Sequence, residues 1–456
     1  MVHSVISKYT LYDLFLYINY KSMMYLTLLN HKYTLYLVGR YKYVAIQQIL
    51  MYVEREIIGA FLSAARLNSI VVIVGPRQSG KTTFLKAQSK NVSENYLSFD
   101  DPDVRELFDT DIKRFENQYL FGNSVVVLDE IQYGKGPGSK LKYLADKGKK
   151  LWVTSSSQVA LDKEVLGWLV GRASVIALYP FSLNEVLRSD GQNEVTPSIL
   201  KRTVEKHIIY GGYPKVVLEK DNSNKETMLK DLYQLMIFKD VARTFNIGDT
   251  AGLERLAQYL SHSVGNLLSY EALSRELGLS SLTVKRYVDA MEKSYLIVRV
   301  PPLFRNKLKE IVKQHKLYFV DTGMRNAVAN SFYVPPEIKG KLLENYIFSE
   351  LIKAGEKVKY WQSKNNAEVD FVVQHGGELI PIEVKVKVDG KHLIGRSLQS
   401  FIEAYEPKRG FVVFYEGESS ASKYKGCSIG AVNVKDLLSA LKKWKPSKQD
   451  VHRKNR

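Results

Sequence analysis

The chain of 456 residues has a single cysteine, Cys427. One cysteine forms neither an intramolecular disulfide nor a cysteine-based metal site, so a reducing compartment, the cytoplasm, is expected. No apolar run reaches the length of a bilayer-spanning helix, which predicts no stable membrane insertion. Acidic residues are outnumbered by basic ones: the chain has 48 Asp and Glu against 66 Lys and Arg, which gives a net charge of +18. That excess favours a polyanionic partner, DNA foremost; the alternative is a charge that serves solubility alone.

The first 50 residues differ from the rest of the chain. They hold nine of the 29 tyrosines and one acid, Asp13. They lack the compact apolar core and small-residue cleavage site of a signal peptide. An amphipathic helix predicted over 52–58 leads directly towards the next strand, which favours Met51 as the native start and residues 1–50 as an upstream extension. The alternative is an arm that binds a partner.

A glycine-rich loop near residue 80 is the most informative feature of the sequence. Residues 71–74 are β-branched and predict a buried strand, and an apolar helical pattern begins at Phe84. Between them the spacing Gly-x-x-x-x-Gly-Lys-Thr is that of a phosphate-binding loop, whose amides, lysine and hydroxyl hold a triphosphate and Mg²⁺. The candidate binding residues are Gly75, Pro76, Arg77, Gln78, Ser79, Gly80, Lys81, Thr82 and Thr83. The sequence therefore predicts binding of a nucleoside triphosphate.

Two acids follow a second buried strand, Val125 to Leu128. Ligands bind at the carboxyl ends of parallel strands. We therefore expect Asp129 to hold Mg²⁺ with Thr82, and Glu130 to activate the water that attacks the terminal phosphate.

Other segments offer weaker candidates for the same site. A further strand ends in hydroxyls at residues 154–157, where Thr154 to Ser156, with Ser155 among the candidate binding residues, could sense the terminal phosphate; a plain polar turn is the alternative. Arg172 could contact phosphate within the chain or across a subunit boundary, or could be a surface arginine.

Residues 268–291 predict a helix, a tight turn and a second helix. Apolar residues at Leu273, Leu277, Val284 and Val288 suit a helix-turn-helix core. Residues 296–300 would then form the strand of a wing. The residues expected to face a DNA major groove are Ser281, Thr283, Lys285 and Arg286. A module that only packs against its neighbours is the alternative.

The segment 368–385 predicts a hairpin that turns at Gly376 and Gly377. In that register Phe371 opposes Ile382 on an apolar face, and Asp370 opposes Glu383 on the other. Two carboxylates roughly 5 Å apart at Cβ repel unless a cation lies between them. A divalent metal there, with Lys385 on the same face, would suit cleavage of a phosphodiester. The alternative is an exposed hairpin whose charges pair, with Glu368 bound to Lys385.

Residues 51–444 resemble a prokaryotic ATPase family of the AAA/STAND-related P-loop group. The segments that carry the resemblance are Gly75–Thr83, Leu128–Gln132, Thr154–Ser157, Gly171-Arg172, Pro180–Ser182, Gly211–Pro214 and Asp321–Gly323. The resemblance implies ATP as the nucleotide and a helical lid whose turn brings Pro214 towards it. It also implies a winged helix and a C-terminal nuclease-like domain of the PD-(D/E)xK type, whose Asp…Glu-x-Lys pattern matches Asp370, Glu383 and Lys385. Glu344 matches the upstream helical acid of that metal site.

The expected fold is α/β: a P-loop NTPase core with a parallel sheet, a helical lid, a winged helix-turn-helix and a restriction-endonuclease-like domain. The predicted boundaries are 1–50 for the extension, 51–190 for the core, 191–247 for the lid, 248–302 for the winged helix, 303–444 for the nuclease-like domain and 445–456 for a basic tail. The expected activity is ATP hydrolysis with Mg²⁺, coupled to DNA binding; the sequence leaves open whether the C-terminal site also cleaves nucleic acid with a metal ion. The alternative is a signalling or regulatory switch whose C-terminal domain cuts nothing. A homo-oligomer is compatible with either.

Overall fold

The computed structural model describes residues 52–88, 95–122, 125–158, 167–191, 194–306, 308, 310, 313–388 and 393–443. The N-terminal extension, the start at Met51 and the basic tail 445–456 lie outside the described residues. The chain divides into two units, Met1–Val53 and Glu54–Arg456, and all the elements below belong to the second. Within the described ranges, none of the helices combines the length and the apolar character needed to cross a lipid bilayer.

The N-terminal half of this unit is a mixed α/β layer structure around a parallel sheet. Its strands are β1 (Ile70–Val74), β2 (Tyr96–Ser98), β3 (Val126–Asp129), β4 (Leu151–Ser155) and β5 (Ala173–Ala177). They lie in the order β2-β3-β4-β1-β5, and every pairing is parallel. The central strands β1 and β3 are buried along their whole length, which explains their unbroken apolar sequences.

Helices cover this sheet. They are α1 (Ile58–Leu67), α2 (Lys81–Gln88), α3 (Pro102–Thr110), α4 (Ile112–Tyr119) and α5 (Pro137–Asp146), with a short 3₁₀ turn at Ile131–Tyr133. Phe61 of α1 packs edge-on against Phe84 and Trp152, with ring centroids 5.0 Å apart in both pairs. Because the strands are parallel, the carboxyl ends of β1, β3 and β4 meet at one edge of the sheet.

A helical segment follows the sheet. It contains α6 (Leu183–Ser189), α7 (Pro197–Tyr210), α8 (Pro214–Leu218) and α9 (Asn222–Leu235), and α9 continues as a π-helix over Met236–Arg243. Ser182 and Glu185 form a capping box that starts α6. Such π-helical turns are rare and occur often at functional sites.

The next elements are α10 (Thr250–His262), α11 (Tyr270–Leu277), α12 (Ser281–Lys293) and the antiparallel pair β6 (Ile297–Val300) and β7 (Lys316–Phe319). Gly278 ends α11 with φ +66°, and the hydroxyl of Ser280 caps α12 by accepting from the Thr283 N–H at 3.0 Å. Leu273, Val284 and Val288 are buried between these helices. The two predicted helices and the strand that follows them are therefore present.

A six-stranded sheet dominates the C-terminal third. Its strands are β8 (Lys359–Gln362), β9 (Glu368–His375), β10 (Glu378–Lys387), β11 (Arg409–Glu416), β12 (Ser420–Tyr424) and β13 (Cys427–Asn433), in the order β12-β13-β11-β10-β9-β8. The helices here are α13 (Thr322–Val328), α14 (Pro336–Lys353), α15 (Arg396–Tyr405) and α16 (Leu437–Lys443). β9 and β10 form the predicted hairpin, in which Gly376 and Gly377 take φ of +55° and +87°.

The predicted register of that hairpin holds from the turn as far as Phe371 and Ile382, which are partners. Beyond this point the carboxylate of Asp370 accepts a hydrogen bond from the Val384 N–H at 2.8 Å. The paired ladder that would set Asp370 opposite Glu383 therefore ends one residue earlier. The alternative in which Glu368 pairs with Lys385 is wrong, because Glu368 pairs with Lys316 and Lys385 pairs with Glu383.

The helical segment and α13 meet at two glycine-containing motifs, Gly211–Pro214 and Asp321–Gly323. The carboxylate of Asp321 accepts from the Gly212 N–H at 2.7 Å and from the Met324 N–H at 3.0 Å, so it ties the end of α7 to the start of α13. Backbones meet so closely here that a Cβ on Gly323 would lie 2.3 Å from the carbonyl carbon and oxygen of Tyr210. One apolar core accordingly runs from α6 to α16.

Replacing Gly323 by alanine should destabilise the protein by about 3 kcal/mol, because backbone atoms would have to move apart to admit the methyl group. Gly340 of α14 is the matched control, since a Cβ there comes no nearer than 4.0 Å to Val386. Gly340→Ala should change the stability by no more than about 1 kcal/mol, in the stabilising direction, as helix propensity predicts. Urea unfolding of both variants measures the difference; equal effects would contradict the close contact.

Candidate functional site

The loop between β1 and α2 has the backbone of an anion-binding cradle. Gly75, Gln78 and Gly80 take φ of +152°, +59° and +97°. Any larger residue at Gly75 is excluded, because its Cβ would lie 2.1 Å from the carbonyl oxygen of Leu178. Successive residues of this conformation turn backbone N–H groups towards a common centre at the start of a helix, where the dipole also favours negative charge.

Lys81 is buried and donates to the carbonyl oxygens of Gly75 and Pro76, each at 3.0 Å. Burial lowers the pKa of its ammonium group, and the nearby carboxylates of Glu130 and Asp129 oppose that effect. A buried cation whose hydrogen bonds, among the described residues, go to these two neutral carbonyl oxygens is well suited to exchange them for phosphate oxygens.

Asp129 gathers hydroxyl groups from three other elements. Thr82 of α2 donates to both of its oxygens at 2.9 Å, Thr154 of β4 donates at 2.5 Å, and Tyr96 of β2 donates at 2.5 Å. Burial and this hydrogen bond raise the pKa of Tyr96, so it stays a donor. Thr82 and Asp129 are thus adjacent, as a magnesium site beside a triphosphate requires, and their oxygen donors fit that ion.

Glu130 follows with φ +58°, a left-handed conformation that is unusual for glutamate. Its N–H donates to Thr154 Oγ1 at 2.9 Å, and its carboxylate accepts from Gln132. Burial acts to raise the pKa of Glu130, but the charge of Lys81 and the hydrogen bond from Gln132 outweigh it and the pKa is lowered. The side chain is therefore an anion available to orient water.

Of the other residues predicted to contact the nucleotide, Pro214 lies near the loop, and Ser155 makes a local hydrogen bond. The hydroxyl of Ser155 donates to the carbonyl oxygen of Ser157 at 2.8 Å, whereas Ser156 accepts from Gln132 at 2.8 Å. Thr154 and Ser156 are thus the hydroxyls linked to Asp129 and Glu130, and Ser155 belongs to a local turn. Pro214 does approach the loop, its Cγ lying 3.7 Å from the position that a Cβ on Gly80 would occupy.

Two arginines at the loop have partners that the sequence did not reveal. Arg55 donates to the Ser79 carbonyl at 2.9 Å and pairs with Glu185 at 3.0 Å. Arg55 thereby links the loop to Glu185 of α6. Arg77 pairs with Asp240 of the π-helix at 2.7 Å. The sequence did not reveal these pairs because Glu185 and Asp240 lie far from the two arginines in the chain, and the capping-box spacing of Glu185 indicates only the start of α6.

The C-terminal carboxylates surround a lysine that sequence reasoning missed. Lys316 of β7 is buried and pairs with Glu344 at 3.4 Å and with Glu368. Burial disfavours its charge, but the two carboxylates outweigh burial and raise the pKa of Lys316. Glu344 also accepts from Tyr318 at 2.5 Å and from Lys341 at 3.0 Å, so both of its oxygens are occupied.

The other acids of this cluster are less fully engaged. Glu383 pairs with Lys385 at 2.5 Å, and its second oxygen is buried without a hydrogen-bond partner. Burial and the charge of Glu344 raise the pKa of Asp370 from 3.8 to about 7. Among the described residues, no group of three His, Cys, Asp or Glu side chains is arranged to hold a metal ion. Glu344 is paired with the buried ammonium of Lys316, and a metal site at Glu344, Asp370 and Glu383 stays a prediction.

The four residues predicted to face DNA differ in how far their side chains are engaged in contacts within the protein. Ser281 and Lys285 are exposed on α12, and the hydroxyl of Thr283 bonds with Ser280 at 2.8 Å. The guanidinium of Arg286 donates to the carbonyl oxygens of Phe245 and Asn246, both at 2.8 Å. Arg286 thus caps the preceding helical segment, although it and Lys285 are both exposed.

Comparisons with known proteins agree with the geometry of the loop. Residues 67–187 match the family described as the AAA domain, and residues 201–333 and 339–435 match two families described as domains of unknown function. The AAA match and the site above support a P-loop ATPase core.

Relatives occur in bacteria and archaea. An uncharacterized protein of Haemophilus influenzae is 26% identical over 70% of this chain and 83% of its own, and one of Methanocaldococcus jannaschii is 27% identical over 67% and 72%. Among solved structures, a Walker-type ATPase of Pyrococcus abyssi aligns with a TM-score of 0.41 and 13% identity, over 61% of this chain and 96% of that one. A similarity of that size does not by itself establish a common fold.

The raised pKa of Asp370 makes stability depend on pH. Because the folded-state pKa of about 7 exceeds the ordinary value of 3.8, the folded state binds more protons than the unfolded state between those values, and stability falls as the pH rises through them. Asp370→Asn should therefore gain on the order of 2 kcal/mol over the wild type between about pH 5 and pH 8.

Urea unfolding in the presence of a chelator measures this gain. Glu418→Gln, which removes an exposed carboxylate from the loop between β11 and β12, is the control and should keep the wild-type pH profile. Parallel profiles for Asp370→Asn and the wild type would contradict the interpretation.

Proposed function

We propose that this chain hydrolyses ATP at the loop after β1 and couples its nucleotide state to DNA binding. The observation that carries the proposal is the convergence of Lys81, Thr82, Asp129 and Glu130 at the carboxyl edge of the parallel sheet, with Thr82 donating to Asp129 at 2.9 Å. This is the set of a cation, a metal-ligating pair and a water-orienting acid that phosphoryl transfer to water needs.

The residues have separate tasks in this mechanism. Lys81 exchanges its loop carbonyls for phosphate oxygens, and the loop amides hold the rest of the triphosphate. Thr82 and Asp129 would hold Mg²⁺, which neutralises charge on the phosphates when bound. Glu130 orients and polarises the attacking water. Arg55 acts indirectly, by fixing the carbonyl of Ser79.

The DNA-binding part of the proposal concerns α10 to α12 with β6 and β7, which we propose to be a winged helix. The exposed face of α12 carries Ser281 and Lys285, and the chain has a net charge of +18. A positive surface gains affinity for DNA by releasing counterions, whatever the sequence of the DNA.

A second function has its own observation. The C-terminal domain, which we propose to be nuclease-like in fold, has Lys316 paired with Glu344 at 3.4 Å and also paired with Glu368. An internal ammonium among these carboxylates favours a domain that binds another macromolecule without cutting it, in a regulatory or signalling switch. Fold alone does not establish activity.

Lys81→Ala should lower the ATPase rate by at least about a hundredfold, and Glu130→Gln should do the same while ATP binding persists, because only the first variant removes a phosphate contact. Phosphate release and binding of a fluorescent ATP analogue separate the two effects. An ATPase rate that survives both substitutions would contradict the proposed site.

Lys285→Glu should weaken DNA binding about tenfold and reduce the dependence of affinity on salt, since one phosphate contact is lost and one repulsion gained. Lys147→Glu, which makes the same charge change at an exposed position after α5, is the matched control and should have a small effect. Fluorescence anisotropy with duplex DNA over a range of salt concentrations measures both. Equal effects of the two substitutions would contradict a DNA contact at Lys285.

DNA nicking in Mg²⁺ or Mn²⁺ distinguishes the two functions of the C-terminal domain. We expect no metal-dependent nicking by the wild type, because Glu344 and Glu368 are already paired with Lys316. Nicking that requires the metal and is lost in Asp370→Ala would instead establish a nuclease.

A further inference from the structure

The phosphate-binding loop contains an arginine that is held by an acid from another part of the fold. Arg77 Nε donates to Asp240 Oδ2 at 2.9 Å and its Nη2 donates to Asp240 Oδ1 at 2.7 Å, a parallel two-point pairing. Nη2 also donates to the hydroxyl of Tyr133 at 3.0 Å. These contacts use the guanidinium face that would otherwise bind a phosphate, because carboxylates and phosphates present the same two-oxygen geometry.

The pair lies within the nucleotide site and not beside it. Its side chains are 18% and 5% exposed, for Arg77 and Asp240 respectively. The charge of Arg77 helps to lower the pKa of Glu130, so the guanidinium is close to the carboxylate that is expected to orient water. A phosphate held by Lys81 and attacked from the side of Glu130 would therefore come within reach of Arg77.

Asp240 is attached to the rest of the protein in an unusual way. It lies in the π-helix that ends the helical segment, Met236–Arg243. Its carbonyl oxygen accepts from the hydroxyl of Ser294 at 2.7 Å, and Ser294 is the residue at which α12 ends. A single residue thus contacts the phosphate-binding loop with its side chain and the proposed DNA-binding helix with its backbone.

We propose that ATP and Asp240 compete for Arg77. Without nucleotide, Asp240 holds the guanidinium; when ATP is bound, the terminal phosphate takes Asp240's place, and the π-helix is released from the loop. Arg77 then becomes a contact that distinguishes ATP from ADP, and the released segment carries the nucleotide state to α12. This inference rests on the proposed function of the same site and adds its regulation.

Competition predicts the direction of each substitution. Asp240→Asn keeps the size of the side chain but removes its charge, so Arg77 loses its competitor and ATP should bind about five to ten times more tightly, with a smaller gain for ADP. Arg77→Ala should weaken ATP binding and bring the ATP and ADP affinities closer together. The double variant should behave like Arg77→Ala alone, because Asp240 acts through Arg77.

Equilibrium titration with fluorescent ATP and ADP analogues measures these affinities. Asp231→Asn, which removes an exposed carboxylate from α9, is the control for the charge change and should leave both affinities unaltered. Weaker ATP binding in Asp240→Asn would show that Asp240 positions Arg77 for phosphate, and unchanged binding would show that the pair has no part in recognition. Either result overturns the proposal.

Hydrogen exchange of the wild type tests the release directly and needs no variant. Amides of residues 236–243 should exchange faster when a non-hydrolysable ATP analogue is bound than in the free or ADP-bound protein, and an unchanged or slower rate would overturn the release. A failure of the proposed function looks different, because the wild type would then bind neither nucleotide.

Discussion

The structure depends most on the carboxylate of Asp129. It is buried at the end of a central strand and is satisfied by the hydroxyls of Thr82, Tyr96 and Thr154, which come from a helix and two neighbouring strands. An unpaired carboxylate at this depth would cost several kcal/mol. The three donors therefore fix the relative positions of the phosphate-binding loop and the strands beside it, and the acid that follows Asp129 is placed by the same contacts.

The elements beyond the parallel sheet are joined to it by both polar and apolar contacts. Asp240 binds Arg77 of the loop, and Tyr295 and Val320 lie in the apolar cluster of the sheet. A common apolar core extends from α6 to α16, so a shift in the helical segment would be felt by the C-terminal sheet. This arrangement gives a physical route from nucleotide state to the surfaces that we propose to bind macromolecules.

Local patterns in the sequence were sufficient for part of this account. The spacing of Gly75, Gly80 and Lys81 predicts the loop, and paired glycines predict the hairpin register as far as Phe371 and Ile382. The sequence did not predict the partners that come from distant elements, above all Asp240 and Lys316. Each is a single charged residue without a motif, and only the tertiary fold brings it to its carboxylate or guanidinium. For that reason the pairing of Lys316 with Glu344, one of the acids of the predicted C-terminal metal site, was not foreseen.

The central claim is that Asp129 and Thr82 form the magnesium site of a bound triphosphate. The most direct test is calorimetric titration of the full-length protein with ATP, in Mg²⁺ and in a chelator, for the wild type and for Asp129→Asn. The account predicts that Mg²⁺ tightens ATP binding by about tenfold or more in the wild type and has little effect in the variant. Affinity that is independent of Mg²⁺ in the wild type, or an equal response in the variant, would contradict it.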